Sequence, residues 1–291
     1  MLDLTEMVLT GSFAAAFGLF LVGALVKRGR GAANRVLGDA VGWGPPELPV
    51  GRVAVWFYRP LDLVGAGLVF GMFGVLVLGS ARPAEAAAPV LGFVTMLVNI
   101  ALQFVLAGGL AIGVVRRVGW VTWLGLRWSG WAWVLVIAPG AVLFMWAVFG
   151  ALMGCGYMEW MESLGVETVQ DAVKVLQKSE DPLILGLMAF AAVVAAPLCE
   201  EMVFRGYMYP VLKKFSGRWA AAVCSSLVFA SAHGDLTALL PLFIFGGVLV
   251  VLYEMTGSLW APVAAHFCFN SATVVTQMAA RYFNISLDAV P

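Results

Sequence analysis

The feature that most constrains the fold of this chain is a series of apolar runs, many of which are long enough to cross a lipid bilayer. About 18 or more consecutive apolar residues indicate a transmembrane helix. Because a helix satisfies its own backbone hydrogen bonds in lipid, these runs predict an all-α, polytopic membrane helix bundle. About eight transmembrane helices are expected, at 7–26, 60–79, 89–115, 131–150, 183–210, 219–234, 237–254 and 258–278.

The composition agrees with a membrane protein and narrows its partners. The chain is 62% hydrophobic and 12% charged, whereas soluble domains carry about 25% charged residues. Its formal net charge is zero, which argues against a nucleic acid partner. The four cysteines form no C-x-x-C pair, and three of them lie in apolar runs. Free, buried thiols are therefore expected rather than a disulfide framework.

The distribution of basic residues predicts the orientation of the chain. Asp3 and Glu6 precede the first apolar run and Lys27 follows it, which indicates a retained first helix with its N-terminus outside. Thirteen basic residues then fall in cytoplasmic segments and four outside, which satisfies the positive-inside rule. The cytoplasmic set is Lys27, Arg28, Arg30, Arg35, Arg52, Arg59, Arg116, Arg117, Arg127, Arg205, Lys213, Lys214 and Arg218. The outside set is Arg82, Lys174, Lys178 and Arg281, so we expect a multi-pass protein of the plasma (inner) membrane.

Two segments between the spans have their own character. The acidic segment 159–181 is predicted to form an amphipathic surface helix outside the membrane. The stretch 35–59 is rich in Pro, Gly and Trp and is predicted to be a cytoplasmic interfacial loop. Five tryptophans between 120 and 133 are typical of an aromatic belt at the entry of the fourth span.

Ionisable side chains interrupt three of the last four apolar runs. Glu200 and Glu201 are adjacent, Arg205 follows them, and the chain has only two histidines, His233 and His266. Ionisable residues inside a membrane span are costly, so they are interpreted as a functional site by default. With a helical rise of about 1.5 Å per residue, these residues and Asn270 lie about 12–22 Å from the cytoplasmic helix ends. They are therefore expected to converge in a site that opens toward the cytoplasmic side.

Helical spacing suggests how these groups divide the chemistry. Glu201 and Arg205 are i,i+4 neighbours that can pair, whereas Glu200 points about 100° away from them. A carboxylate in an apolar pocket suits proton transfer, and His233 could share a water with Glu200. His266 and Asn270, also i,i+4 neighbours, could both donate to one developing oxyanion. These are the parts of a water-activating hydrolase.

The same side chains allow a metal-dependent alternative. Glu200, His233 and His266 are three ligands of the kind that a catalytic zinc takes, with a fourth position left for water. The sequence contains no H-E-x-x-H motif that would favour this arrangement.

Three ordered motifs and two flanking segments carry a family resemblance: Glu200-Glu201-x-x-x-Arg205, Phe229-x-x-x-His233, His266-x-x-x-Asn270, Phe204-Arg205-Gly206 and the stretch 253–262. In their order along the chain, they resemble the CAAX protease and bacteriocin-processing (CPBP, also called Abi) family of intramembrane proteases, which includes the Ras-converting CAAX prenyl endopeptidase. The resemblance covers roughly residues 182–275, about a third of the chain.

The resemblance implies a fold, a reaction and a set of roles. It implies a helix bundle with a conical intramembrane active-site cavity and an endopeptidase that acts on a membrane-associated protein or peptide. By resemblance, Glu200 and His233 activate water, His266 and Asn270 bind the oxyanion, and Glu201 and Arg205 support them. No cofactor is expected on this basis, with zinc as the alternative. The expected organisation is an N-terminal transmembrane region with the acidic segment at 1–181, a protease core at 182–278 and a C-terminal tail at 279–291.

Two other functional classes remain as alternatives. A non-catalytic membrane partner, such as an immunity or kinase-modulating protein, could keep the protease fold and work by binding. A proton-coupled transporter could use Glu200 and the histidines as a relay, but the paired broken helices of inverted repeats are not evident. The simplest interpretation of Asn270 alone is a hydrogen bond between helices, and of Gly246-Gly247 close helix packing.

Overall fold

The computed structural model describes residues 4–41, 52–80, 92–166 and 179–283, and these residues form helices and no strands. In chain order the helices are α1 (Leu4–Val41), α2 (Pro60–Ser80), α3 (Phe93–Leu124), α4 (Val134–Gly154), α5 (Tyr157–Ser163), α6 (Pro182–Ser216), α7 (Arg218–Ser231), α8 (Leu236–Thr256) and α9 (Trp260–Tyr282). A single 3₁₀ turn, Trp131–Trp133, leads into α4. The predicted all-α, multi-pass class is confirmed.

The predicted spans coincide with helices, but the count of eight is not confirmed. Six helices of the described chain are long and apolar enough to cross a membrane: α1, α2, α3, α4, α6 and α8. Helix α7 has 14 residues, or about 21 Å, which is less than the ~30 Å hydrocarbon core. Helix α9 is long enough, but His266, Asn270 and Gln277 make it more polar than the other six.

The structure corrects the bounds of three predicted segments. Helix α1 continues through Val41, so residues 35–41 of the predicted loop 35–59 are helical. The first prolines of that stretch come only at 45 and 46, which leaves the preceding residues free to extend the helix. The predicted acidic helix 159–181 is shorter than expected: α5 ends at Ser163, and Gly165 has a φ of 76°, a left-handed conformation that does not continue a helix. Residues 179–181 are not helical, and residues 167–178 lie outside the described residues. Helix α9 ends at Tyr282, so the predicted tail 279–291 begins within a helix.

Helix α6 is the centre of the bundle. It packs against α1, α2, α3, α7, α8 and α9. Its α-helical course is interrupted by two π-helical stretches, Ala191–Ala195 and Met202–Met208, on either side of Ala196–Glu201. A π turn shifts the backbone hydrogen bonds by one residue and is frequent at functional sites. The two glutamates therefore lie in a short α-helical segment between two irregular turns.

Two local features fix how α8 lies beside α7. The carboxylate of Asp235 accepts hydrogen bonds from the backbone N–H groups of Thr237 (2.8 Å) and Ala238 (3.2 Å), which caps the start of α8. Further along the helix, a Cβ on Gly246 would lie 3.0 Å from Cβ of Ser226 on α7. Glycine at 246 therefore permits close helix packing. Gly247 has no such neighbour.

All four cysteines are free thiols. Cys199 and Cys224 are buried, whereas Cys155, at the end of α4, is exposed. Cys268 is half-buried. The expected burial therefore holds for the thiols inside α6 and α7 but not for Cys155.

Candidate active site

The first group of the site is a buried triad on α6 and α9. One carboxylate oxygen of Glu201, Oε1, accepts hydrogen bonds from Nη1 of Arg205 and Nδ1 of His266, both at 2.9 Å. Glu201 and Arg205 are fully buried, and His266 is 3% exposed. The i,i+4 pair expected from the sequence is therefore present. The cost of burying two charges is offset only where they pair closely, as these two do.

The remaining contacts of Arg205 hold this triad to α7 and α8. Its Nη2 donates to the carbonyl of Gly246 on α8 at 3.1 Å. Its guanidinium lies over the ring of Phe229 on α7, 4.4 Å from the centroid, at a distance where a cation–π interaction is favourable. The second oxygen of Glu201 has no hydrogen-bond partner among the described residues. One arginine thus connects three helices at the depth of the two glutamates.

The second group is Glu200 with His233, which lies just beyond the end of α7. Nδ1 of His233 donates to the carbonyl of Phe229 at 2.8 Å, one of the last carbonyls of α7 that has no partner within the helix. This bond directs the other ring nitrogen, Nε2, to Glu200, whose Oε2 lies 4.0 Å away. That oxygen has no hydrogen-bond partner in the described chain.

Phe229 separates the two groups. Its ring makes edge-to-face contacts with His233 (4.9 Å between centroids) and with His266 (5.9 Å). Both contacts restrict the orientation of the imidazole rings. The two histidines therefore flank one aromatic ring, and each one faces a different glutamate.

The second group lines a large cavity. A cavity of about 560 Å³ lies between α2, α3, α6 and the end of α7, and its wall includes Glu200 and His233. Most of its other lining residues are apolar: Met72, Phe73, Leu76, Leu102, Val105, Leu106, Cys199, Val203, Phe204 and Ala232. Two amides of α3, Asn99 and Gln103, complete the wall. The contribution of α2 and α3 is not indicated by the motifs, although two amides in an apolar run are visible in the sequence.

The expected convergence of His266 and Asn270 on one oxyanion position is not present in this structure. Nδ2 of Asn270 donates to the carbonyl of Ala192 at 2.8 Å, within the first π-helical stretch of α6. Neither side chain belongs to the cavity wall. The physical reason is that each has a nearer partner: Glu201 for the imidazole, and for the amide a carbonyl in a stretch of irregular backbone bonding.

The donor set does not fit the zinc alternative. In the described residues, no group of three or more His, Cys, Asp or Glu side chains is placed to hold a metal ion. His266, which would have to join Glu200 and His233, turns its Nδ1 to Glu201 instead. The geometry therefore gives no support to a metal held by these three residues.

Comparison with known proteins places the site within one type of domain. Residues 182–272 match the family model described as type II CAAX prenyl endopeptidase Rce1-like. All six candidate site residues lie inside this segment. No solved structure gives a significant match.

Three bacterial proteins are similar to parts of the chain. YdiL of Bacillus subtilis (strain 168), whose name presents it as a candidate membrane peptidase, is 30% identical over 92 residues. YpbD of the same organism, an uncharacterised protein, is 32% identical over 129 residues. The membrane-embedded CAAX protease MroQ of Staphylococcus aureus (strain USA300) is 25% identical over 150 residues. The matches cover 32%, 43% and 48% of this chain and 38%, 61% and 60% of these relatives, respectively.

Proposed function

We propose, because residues 182–272 match the family model described as type II CAAX prenyl endopeptidase Rce1-like, that this chain is an intramembrane endopeptidase of the CPBP type. Its substrate would be a membrane-associated protein or peptide, and water activated by Glu200 and His233 would hydrolyse one peptide bond. By this proposal, residues 182–278 are the protease core, and the preceding helices complete the cavity. The protein would lie in the plasma (inner) membrane, with its N-terminus outside and its site open toward the cytoplasm.

The main support for this proposal is that Glu200 and His233 lie opposite each other in the wall of one apolar cavity. Two hydrogen bonds of about 2.8 Å that meet at a water oxygen at about a right angle span a separation of 4.0 Å. A water in that position would donate to Oε2 of Glu200, which otherwise has no partner in the described chain. The apolar wall would keep bulk water away from the carboxylate and so strengthen this interaction.

The reaction follows from these positions. Glu200 would take a proton from the water, and the hydroxide oxygen would attack the peptide carbonyl carbon to form a tetrahedral intermediate. The C–N bond would then break as the proton moves from Glu200 to the leaving nitrogen. The hydrogen bond from Nδ1 of His233 to Phe229 leaves Nε2 as an acceptor. His233 would therefore orient the water by accepting a hydrogen bond from the second proton of the water.

The buried triad would serve the same reaction through His266. Glu201 holds Nδ1 of His266, so Nε2 is the nitrogen left to donate. It would reach the oxyanion if substrate binding extends the cavity, whose present wall does not include His266. An imidazolium at this position would be stabilised by the Glu201 carboxylate and could donate to the oxyanion. Arg205 balances the charge of Glu201 and fixes its orientation. Asn270 would join as a donor after exchanging the Ala192 carbonyl for the oxyanion.

The proposal can be tested before the substrate is identified. Membranes from cells that lack the endogenous gene and carry the wild type or Glu200→Gln would be compared by enrichment and mass spectrometry of protein N-termini. New N-termini are expected with the wild type and not with Glu200→Gln or His233→Ala, at equal protein levels. Glu162→Gln, at an exposed carboxylate on α5, is the matched control and should resemble the wild type. Identical N-termini in wild type and Glu200→Gln membranes would favour a binding function over catalysis.

A further inference from the structure

Two amide side chains lie in the membrane-spanning part of α3 and face the cavity. Asn99 and Gln103 are one helical turn apart, and Nε2 of Gln103 donates to Oδ1 of Asn99 at 2.9 Å. Both belong to the wall of the cavity that contains Glu200 and His233. They lie outside residues 182–272, so the family match assigns them no role.

The hydrogen bonding of this pair is incomplete. Oε1 of Gln103 is buried and has no hydrogen-bond partner in the described part of the chain. Asn99 is an exposed residue that uses its Oδ1 as an acceptor, and its Nδ2 donates to no described residue, which leaves its N–H groups available to a ligand. Buried polar atoms are nearly always hydrogen-bonded, so an unpaired acceptor in an apolar wall requires an explanation. A polar side chain within a membrane span is interpreted first as part of a functional site.

We propose that Asn99 and Gln103 bind the main chain of the substrate segment that enters the cavity; this inference rests on the proposed function. Gln103 Oε1 would accept a hydrogen bond from a peptide N–H, and Asn99 Nδ2 would donate to a peptide C=O. In an extended chain, the N–H and C=O of one residue point to the same side, as they do in a strand pair. The free acceptor and the free donor of the amide pair are complementary to that pattern.

The rest of the cavity wall defines the substrate class. The described lining residues include no Lys or Arg, so among them the wall offers no fixed positive charge to a carboxylate or a phosphate. The apolar side chains of α2 and α6 would instead contact apolar groups of the substrate. The proposed substrate is therefore an extended, largely apolar peptide segment that is recognised at this position through its backbone. The side chain of the residue held by the amides would matter little.

The test uses synthetic peptides that span a cleavage junction found by N-terminal profiling. In a series of analogues, one backbone amide at a time is replaced by an ester, which removes a single N–H donor. In one analogue of the series, the ester will replace the N–H that donates to Gln103. The wild type should cleave this analogue about tenfold less efficiently than the all-amide peptide, which is the effect of one lost hydrogen bond. Gln103→Met should cleave that ester and the amide equally well. Its KM for the amide should be about tenfold higher than that of the wild type, with little change in kcat.

Controls separate recognition from stability. Leu97→Met, on the exposed face of the same helix and outside the cavity wall, should keep the wild-type preference for amide over ester. Gln103→Met should also have a thermal unfolding midpoint in detergent at least equal to that of the wild type, because it removes an unpaired buried acceptor. Asn99→Leu removes the acceptor of the exposed hydrogen bond from Gln103 Nε2, so its midpoint should change little.

The outcomes that overturn the inference differ from those that overturn the proposed function. If the wild type cleaves the peptides and Gln103→Met still discriminates against the ester, the backbone role is wrong and the protease assignment stands. If both amide variants unfold at clearly lower temperatures, the pair serves stability and the inference is wrong, whether or not any peptide is cleaved. If the wild type produces no new N-termini, the proposed function itself fails, and the unfolding measurement still decides the role of the pair.

Discussion

At the scale of single residues, the two adjacent glutamates have different surroundings. Successive residues of a helix point about 100° apart, and this rotation directs Glu200 to the cavity and Glu201 into the core. Glu201 is fully buried and pairs with Arg205 and His266. Glu200 is partly accessible and faces His233. The neighbouring carboxylates therefore should respond differently to the same substitution.

We expect Glu200→Gln to abolish cleavage and leave stability almost unchanged, because its Oε2 has no partner to lose in the described chain. Glu201→Gln should instead lower the free energy of unfolding by about 3–5 kcal/mol, since it leaves the Arg205 guanidinium buried beside a neutral group. Thermal unfolding and proteolysis of the purified variants would measure the difference. Equal destabilisation of both variants would contradict the assignment of Glu200 to the cavity and Glu201 to the core.

The proposed roles of Glu200 and His233 also lead to a prediction about metal dependence. The mechanism proposed for Glu200 and His233 uses no metal, so protein shown to be metal-free by elemental analysis should keep its cleavage activity. Activity that disappears on chelation and returns with one equivalent of zinc would support the zinc alternative instead.

At the scale of helices, the irregular turns of α6 provide backbone acceptors for the rest of the bundle. The carbonyl of Gly206, in the second π-helical stretch, accepts hydrogen bonds from Tyr58 Oη (2.5 Å) and Trp123 Nε1 (2.8 Å). The carbonyl of Ala192, in the first, accepts one from Asn270. A segment before α2, the end of α3 and α9 are thereby attached to the helix that carries the glutamates. The π turns thus fix the position of the site relative to its walls.

The bond between Asn270 and Ala192 leads to a prediction with two measurable parts. Asn270→Ala should lower stability by about 1 kcal/mol, because the Ala192 carbonyl loses its partner. It should also lower kcat by a factor of about 10²–10³, because an oxyanion donor is removed. Thr273→Val is a matched control, since its hydroxyl bonds only to the carbonyl of Phe269 in its own helix. A loss of stability with unchanged kcat would restrict Asn270 to a structural role.

At the scale of the whole molecule, charged groups concentrate at one end of the bundle. Lys213 Nζ pairs with Glu254 Oε1 at 2.5 Å, and the same oxygen accepts a hydrogen bond from Tyr209 at 2.6 Å. Arg117 and Asp62 form a second ion pair at 2.6 Å where α3 meets α2. Lys27 of α1 donates to the carbonyl of Lys214 at 2.5 Å. These contacts tie α2 to α3, and α6 to both α1 and α8, at the end that is predicted to be cytoplasmic.

The native thiols offer a direct test of the proposed orientation. Cys155, exposed at the end of α4, should react with a membrane-impermeant maleimide added outside intact cells, whereas the buried Cys199 and Cys224 should not. A cysteine introduced at Lys214 in a Cys155→Ser background should react only after the membrane is permeabilised. The opposite pattern would reverse the topology and would place the opening of the site on the outer side.

The sequence by itself determined the class of fold and the residues of interest. Runs of apolar residues can be interpreted without tertiary information, because the lipid environment requires each span to bond its own backbone. The i,i+4 spacing of Glu201 and Arg205 likewise predicted a pair that the structure contains, since helical geometry alone brings these side chains together.

Only the tertiary structure decided how helices share the site. His266 turned to Glu201 and Asn270 to the Ala192 carbonyl, and neither contact could be predicted from spacing, because each depends on helix rotation and on π turns in a different helix. The same holds for Asn99 and Gln103, which are distant from Glu200 in the sequence and belong to none of its motifs. They reach its cavity because α3 packs beside α6. Local periodicity specifies which face of a helix is polar, but the packing of the bundle specifies what that face meets.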